Sequence, residues 1–191
     1  RLASNIQETI GVEYEIISID NSKNEYFITQ AYNKGIELSK YNYLCFLHED
    51  VNLITNNWGK ILIEHLNNNP QGIVGVAGGQ IATKVPSSWS ELAKTQRKNF
   101  MQCGDLVSYP YNMTKMESEV VMLDGFFLAC KKDFIEPILF DGNLKGFHAY
   151  DADICFRSKY YGGTNIVIYD ILINHHSHGT PNRQWVECTK A

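Results

Sequence analysis

The chain has 191 residues, of which 44% are hydrophobic and 20% are charged, with a formal net charge of −4. This composition predicts one globular domain with a sizeable core and excludes a disordered chain. The negative charge and the lack of a long Lys/Arg run exclude an electrostatic nucleic-acid-binding surface. No apolar run approaches the roughly 18 residues that a membrane-spanning helix needs.

The cysteines are odd in number and widely spaced, and they are Cys45, Cys103, Cys130, Cys155 and Cys188. A free cysteine inside an apolar run behaves as a small hydrophobic residue. We therefore expect free thiols and a cytoplasmic location, either in solution or at the inner face of the membrane. Because the chain begins at Arg1 inside a predicted helix, we also expect the first strand of the fold to be missing.

Helix and strand patterns alternate along the first part of the chain. Apolar residues three and four apart predict helices, and short β-branched or aromatic runs predict strands. The predicted elements are helices at 2–10, 26–39 and 58–69, the last capped by Asn57, and strands at 14–19, 43–47 and 73–77. This order predicts an α/β fold with a mostly parallel central sheet flanked by helices.

The alternation stops after residue 79. Residues 80–118 are polar and aromatic with mixed periodicity, which predicts a long excursion or lid with some helix. Order then returns with strands at 120–123, 126–130 and 164–173 and helices at 133–139 and 151–161. We therefore expect a single domain, 1–191, divided into a first half at 1–79, the excursion at 80–118 and a second half at 119–191.

Two polar groups follow predicted strands of the first half. Asp20 and Asn21 follow one strand, where the alternative is a plain Asx turn. His48, Glu49 and Asp50 follow the next strand, and the residues after them do not begin a helix that the acidic pair could cap. Carboxylates at the carboxyl end of a strand in an open α/β sheet face the crevice where such folds bind ligands. This position favours a site for Mg²⁺ or Mn²⁺ together with phosphate groups.

Two further groups lie in the second half. Asp151 and Asp153 occupy the first turn of a predicted helix, where they either complement the helix dipole or supply a general base. His175, His176 and His178 follow the last predicted strand, and imidazole is a common ligand of divalent metals. No recognised zinc motif accompanies these histidines. All four polar groups thus follow strands or begin helices, as a shared site at one edge of a sheet requires.

Six segments form a pattern in chain order: YEIISIDNS at 14–22, AYNKGI at 31–36, FLHEDV at 46–51, GFFLACKK at 125–132, YDADICFR at 150–157 and HHSHGT at 175–180. In this order they resemble family 2 of the inverting glycosyltransferases with the GT-A fold. The segment at 150–157 is similar to the family's acidic helix start, E-D-x-D-L-x-x-R. The resemblance covers nearly the whole chain and implies a GT-A-like fold of the nucleotide-diphospho-sugar transferases.

The resemblance implies that several residues bind the donor. Asp20 would contact the nucleobase, and the other substrate-binding residues would be Asn21, Asn33, Glu49 and Asp153. A second set would hold a divalent cation, Mn²⁺ or Mg²⁺, on the donor diphosphate. Its members would be Asp50, which matches the last Asp of the D-x-D motif, and His176, with His175 or His178 as the alternatives.

Asp151 matches the base that deprotonates the acceptor, and Asp153 is its competitor. The implied reaction moves a sugar from a UDP- or dTDP-linked donor to a hydroxyl of a saccharide or lipid-linked acceptor, with inversion, in the synthesis of cell-surface polysaccharide or glycoconjugate. Trp89, Tyr109 and Tyr111 would either stack on acceptor sugars or only pack the excursion.

Two residues depart from the family pattern. His48 stands where the D-x-D motif has its first Asp, and Tyr150 stands where the family has Glu before the base. These departures leave two alternatives to a transferase. One is a non-catalytic module that binds a sugar nucleotide or a partner, and the other is a metal-dependent hydrolase built from Asp50 and the histidines.

Overall fold

The computed structural model describes residues 1–83, 88–90, 92–109 and 116–177. The helices in this part of the chain are α1 (Leu2–Thr9), α2 (Ile28–Leu38), α3 (Trp58–Asn68), α4 (Lys132–Ile135) and α5 (Tyr150–Tyr160). The strands are β1 (Tyr43–Leu47), β2 (Val51–Leu53), β3 (Gly72–Gly75), β4 (Ala77–Gly79), β5 (Gln96–Gln102), β6 (Asp105–Tyr109), β7 (Glu117–Val120), β8 (Met122–Leu123), β9 (Phe127–Lys131), β10 (Thr164–Ile168) and β11 (Ile173–His175). No helix among these residues has the length and apolarity needed to cross a membrane.

The strands form two sheets. The first has the order β1-β9-β3-β10-β7, and the second has the order β2-β11-β5-β4-β8 with β6 paired to β5. Of the described ladders, only β3–β10 and β5–β11 are parallel. The prediction of a mostly parallel sheet is therefore wrong.

The reason is an inserted strand. β9 lies between β1 and β3 and is antiparallel to both, so β1 and β3 run in the same direction without being neighbours. The helical crossover through α3 had correctly indicated their direction. The local sequence pattern does not show that a strand from the second half of the chain separates β1 from β3.

Four predicted strands are also corrected. Residues 14–19 are not in a strand, although side chains of this region reach the turn before β1: Lys40 N donates to Glu15 Oε1 at 2.6 Å, and the Tyr41 hydroxyl donates to Glu13 Oε1 at 2.6 Å. The strands predicted at 73–77, 120–123 and 164–173 each divide between two strands, one in each sheet. In addition, β2 was not predicted.

The described part of the excursion is a hairpin, β5–β6, with one 3₁₀ turn at Ala93–Thr95. The hairpin turns at Cys103 and Gly104, whose φ angles are 50° and 100°. Positive φ at both turn positions matches the twist of the paired strands. In the part that the structure describes, the excursion is thus mainly a two-stranded extension of the second sheet, its role as a lid stays a prediction, and Tyr111 lies outside the described residues.

Helices α1, α2, α3 and α5 are confirmed to within two residues at either end, whereas α4 is shorter than expected. The predicted cap of α3 is wrong in its mechanism. Asn57 has φ of 59° and its side chain makes no capping hydrogen bond. Instead Gly59 N donates to Ile10 O at 3.0 Å, so the turn after α1 satisfies the start of α3.

Two apolar clusters cover opposite faces of the first sheet. Alternate residues of each strand enter different clusters: Val74 and Ala129 belong to one, and Ile73 and Cys130 to the other. The first cluster contains the apolar faces of α1 and α3, and the second contains those of α2 and α5. With both faces covered, polar groups lie at the ends of the strands, where the loops after β1 and before β9 meet.

Candidate active site

Strand pairing brings three distant loops together. Leu47 at the end of β1 pairs with Phe127 at the start of β9, and His48 N donates to Phe126 O at 3.1 Å. On the other side, Val51 at the start of β2 pairs with His175 at the end of β11. Residues 48–50, which pass from the first sheet to the second, therefore lie between the loop before β9 and the end of β11.

His48, Asp50 and His175 form a group that can hold a metal ion, since each offers one ligand atom and these atoms lie within 4.8 Å of one another. His175 Nε2 is 3.5 Å from Asp50 Oδ1. The ring of Phe126 stacks on His175 at a centroid distance of 4.6 Å and an angle of 15°, which fixes the plane of the imidazole. Two imidazoles and a carboxylate suit a divalent first-row cation, so this donor set fits the expected Mn²⁺ better than an all-oxygen Mg²⁺ site.

This group contains Asp50, as expected, but it contains His175 in place of His176. His176 is exposed, and its contact with Asp50 runs through the backbone, where His176 N donates to Asp50 O at 2.9 Å. Glu49 is exposed, and His178 lies outside the described residues. His48, a departure from the family pattern, lies within the group.

The His48 ring also contacts the second half of the chain. Its Nε2 is 2.6 Å from the hydroxyl of Tyr150, the first residue of α5. Burial lowers the pKa of His48, and the nearby carboxylates of Asp124 and Asp50 act in the opposite direction. The imidazole is therefore held in the neutral form that metal ligation requires.

Asp151, the expected base, lies in the first turn of α5. Gly125 N donates to its Oδ2 at 3.2 Å, and Ala152 N donates to its Oδ1 at 2.9 Å. Loss of hydration around this partly buried carboxyl, together with the negative charge of Asp124, raises the pKa of Asp151 to about 7. A carboxyl with this pKa has the property that a general base needs near neutral pH.

Asp153, the competitor, has a different environment. Its Oδ2 accepts a hydrogen bond from Arg157 Nε at 2.8 Å, and the same guanidinium lies 3.4 Å from Asp141. One carboxylate oxygen of Asp153 is therefore already occupied by Arg157. These contacts favour Asp151 over Asp153 as the base.

Asp124 is a residue that sequence reasoning missed. Trp89 Nε1 donates to its Oδ2 at 2.7 Å, and Phe126 N donates to its Oδ1 at 3.2 Å. The pair Asp124 and Gly125 looked like a simple turn between two strands. Its carboxylate nevertheless influences both His48 and Asp151, and it connects the excursion, through Trp89, to this edge of the sheet.

The remaining expected donor ligands make local contacts. Asp20 is exposed and accepts a hydrogen bond from the backbone two residues later, which lowers the pKa of its carboxyl. This is the Asx turn that the sequence left as the alternative, and contact with a nucleobase stays a prediction. The Asn21 amide bonds in both directions with the backbone of Tyr26, at 2.9 Å each. Likewise the Asn33 amide bonds both N and O of Phe140, at 2.9 and 2.8 Å, so both asparagines stabilise the fold, and their contact with substrate stays a prediction.

Comparison with known proteins supports this description of the fold. A protein of Fuscovulum blasticum named ATP synthase subunits region ORF 6 is 27% identical over 167 residues, which are 85% of this chain. The chain spans 63% of the length of that relative. Among solved structures, GalNAc-T7 in a crystal with UDP, GalNAc and Mn²⁺ is 14% identical and superposes with a TM-score of 0.57 over 82% of this chain and 32% of that one.

At this level of identity the likeness to GalNAc-T7 concerns the fold alone, and the GT-A-like fold expected from the sequence is confirmed. A match to a protein family covers more of the chain than the structural likeness does. A family model described as "Glycosyltransferase like family" matches residues 1–191, the whole of the chain. The chain therefore belongs to the glycosyltransferase-like family.

Proposed function

We propose that this chain transfers a sugar, with inversion, from a nucleoside-diphosphate sugar to the hydroxyl of an acceptor. The observation that carries this proposal is the juxtaposition of two different chemical groups at one sheet edge. One is the metal-binding group of His48, Asp50 and His175, and the other is the Asp151 carboxyl with its raised pKa. Tyr150 lies between them, bonded to His48 and adjacent to Asp151.

His48, Asp50 and His175 would hold a divalent cation. When bound, this cation supplies a Lewis acid that stabilises the negative charge developing on the departing diphosphate. Mn²⁺ is the preferred candidate because of the two imidazoles in the donor set. The presence of UDP and Mn²⁺ in the GalNAc-T7 crystal makes a UDP-linked donor the first to test, and a dTDP-linked donor the second.

Asp151 would accept the proton from the acceptor hydroxyl. As that proton moves to the carboxylate, the acceptor oxygen forms a bond with the anomeric carbon and the bond to the diphosphate breaks. A single displacement of this kind inverts the anomeric configuration. Gly125 N and Ala152 N fix the carboxylate for this step, because each donates to a different carboxylate oxygen.

The acceptor would be a saccharide or a lipid-linked saccharide, in the synthesis of cell-surface polysaccharide or glycoconjugate on the cytoplasmic side of the membrane. The excursion is the segment most suited to select it. Trp89 supports this assignment, since its indole N–H bonds the Asp124 carboxylate and so holds the excursion against the proposed site.

The first experiment is calorimetry with a panel of nucleoside diphosphates, with and without Mn²⁺, followed by a transfer assay. We expect Mn²⁺-dependent binding of UDP or dTDP. Asp151→Asn should lower the transfer rate about 10²- to 10⁴-fold while donor binding is retained. Asp133→Asn is the matched control, because Asp133 is also an acidic residue in a first helical turn but is remote from this edge of the sheet.

The alternatives give different results. Nucleotide binding without turnover would favour the non-catalytic module, and donor hydrolysis that needs no acceptor would favour the hydrolase. Asp153→Asn separates the two candidate bases. If that variant loses transfer and Asp151→Asn does not, our assignment of the base is wrong.

A further inference from the structure

The Tyr150 hydroxyl lies in a fixed position. Its side chain is only 3% exposed, and its ring packs edge-on against Tyr32 with a centroid distance of 5.7 Å. A Cβ at Gly125 would approach the Tyr150 Oη to 2.0 Å, so the glycine leaves just enough space for the hydroxyl. Rotation or withdrawal of this group would require the surrounding core to move.

One ring nitrogen contacts this hydroxyl. His48 Nε2, 102 residues away in the chain, is 2.6 Å from Tyr150 Oη. Because the hydroxyl occupies Nε2, a cation that binds the His48 ring has to bind at Nδ1. A neutral imidazole with a free lone pair on Nδ1 carries its proton on Nε2, where Tyr150 Oη accepts it.

This arrangement decides which nitrogen of His48 can bind a metal. A neutral imidazole carries one N–H and one lone pair. With the proton on Nε2, the lone pair is on Nδ1. The reverse arrangement, in which Tyr150 donates to Nε2, would put the proton on Nδ1 and leave no lone pair for a cation, since Nε2 already contacts the hydroxyl.

We infer that Tyr150 is a positioning residue whose hydroxyl accepts the Nε2–H of His48 and thereby keeps the Nδ1 lone pair available for a divalent cation. Partners of this kind around a metal-binding histidine set both its tautomer and its orientation. Because Tyr150 directly precedes Asp151, the same contact also ties the cation ligand to the turn of α5 that carries the base. This last consequence for catalysis rests on the proposed function, whereas the tautomer and the cation affinity do not.

The inference also explains the two departures from the family pattern. An Asp at position 48 would offer no N–H to a phenol oxygen, and a Glu at position 150 would place a second carboxylate beside the cation group. In this chain His48 and Tyr150 instead form a hydrogen bond with each other. Their hydrogen bond joins the two positions that depart from the family pattern into one structural unit of this chain.

The test compares Tyr150→Phe with Tyr169→Phe. Tyr169 is the matched control because it is also buried, at 7% exposed, and its hydroxyl also makes one side-chain hydrogen bond, to Ser118 at 2.9 Å, away from the metal-binding group. The first readout is the ¹⁵N NMR spectrum of the His48 ring in metal-free protein, assigned with His48→Asn. We expect the Nε2–H tautomer in the wild type and in Tyr169→Phe, and a mixture of tautomers in Tyr150→Phe.

The second readout is the affinity for Mn²⁺ alone, measured by electron paramagnetic resonance without any nucleotide. Loss of a partner outside the metal ligands typically costs about 10- to 100-fold in metal affinity, and we expect a loss in this range for Tyr150→Phe and none for Tyr169→Phe. Should Tyr150→Phe fail to fold, the ¹⁵N spectrum of the wild type decides alone, because an Nδ1–H tautomer there contradicts the inference.

The outcomes separate this inference from the proposed function. An Nδ1–H tautomer in the wild type, unchanged Mn²⁺ affinity in Tyr150→Phe, or no Mn²⁺ binding by the wild type would each overturn the inference, even if sugar transfer is observed. Conversely, the expected tautomer and affinities in a protein that transfers no sugar would leave the inference standing and reject the proposed function.

Discussion

Replacing Asp151 by Asn should stabilise the protein at alkaline pH while it removes activity. The pKa of this carboxyl is raised from 3.8 to about 7 in the folded protein, so folding favours its protonated form. Below pH 3.8 the carboxyl is protonated in both the folded and the unfolded chain, and it makes no difference to stability. As the pH rises toward 7, the unfolded chain loses its proton first and the folded state becomes less stable. Above pH 7 the loss is complete and constant.

The size of this loss follows from the pKa. A rise from 3.8 to about 7 corresponds to a loss of about 4 kcal/mol in the free energy of unfolding above pH 7, as an upper limit. About 3 kcal/mol of it develops between pH 5 and pH 8. The Asn side chain cannot accept from both Gly125 N and Ala152 N, and the lost hydrogen bond costs about 1 kcal/mol at every pH. We therefore expect a net stabilisation of about 1–3 kcal/mol at pH 8 and little change at pH 5.

Urea denaturation of the wild type and Asp151→Asn at pH 5 and pH 8 measures these differences. Asp153→Asn is the control, since its contact with Arg157 predicts a small destabilisation, about 0.5 kcal/mol, rather than a gain. If Asp151→Asn destabilises the protein equally at the two pH values, Asp151 is not a poorly hydrated carboxyl. Asp151 would then lack the raised pKa that suits a base near neutral pH.

Two further predictions concern His65 and the cation group. His65 on α3 lies 3.0 Å from Asp170, which together with Glu117 raises the pKa of His65 above 6.5. The stabilisation from its positive charge is therefore present below pH 6.5 and is lost as the pH rises through the folded pKa. We expect His65→Gln to lower the free energy of unfolding by about 1–3 kcal/mol at pH 6 and by clearly less at pH 9. Equal urea midpoints for the two proteins at pH 6 would contradict this. His175→Ala should weaken Mn²⁺ binding by at least about 10-fold and His176→Ala should leave it unchanged, as measured by electron paramagnetic resonance. The opposite result would identify His176 as the ligand.

Elements with local patterns were predicted well. The helices at α1, α2, α3 and α5 and the strand β1 follow from apolar spacing within each segment, and that spacing depends on neighbours in sequence. The order of strands in the sheet depends instead on residues that are far apart in sequence. β9 lies between β1 and β3 because of contacts between residues about 55 and 85 positions apart, which no local pattern contains.

The choice between His175 and His176 was, in contrast, within reach of the sequence. Side chains alternate between the two faces of a strand, so His175 lies on the same face of β11 as Ile173. Ile173 is fully buried and His175 is 9% exposed, whereas His176 is exposed. The period of the strand therefore places His175, and not His176, with the buried residues. The expectation of His176 came from matching its position to the family pattern, and it stays a prediction.

The two departures from the family pattern were located correctly but interpreted separately, because His48 and Tyr150 are 102 residues apart. Taken one at a time, each removes a carboxylate and weakens the case for a transferase. Taken together, they place one hydrogen bond between an imidazole and a phenol where the family pattern has two acidic groups, with the phenol buried and the imidazole partly buried. A cation ligand fixed by a neutral partner does not need an additional charge to orient it, so the net result is a site with fewer negative charges and a fixed geometry. This favours retention of metal binding in the chain over its loss, and the tautomer of His48 is the property that decides between them.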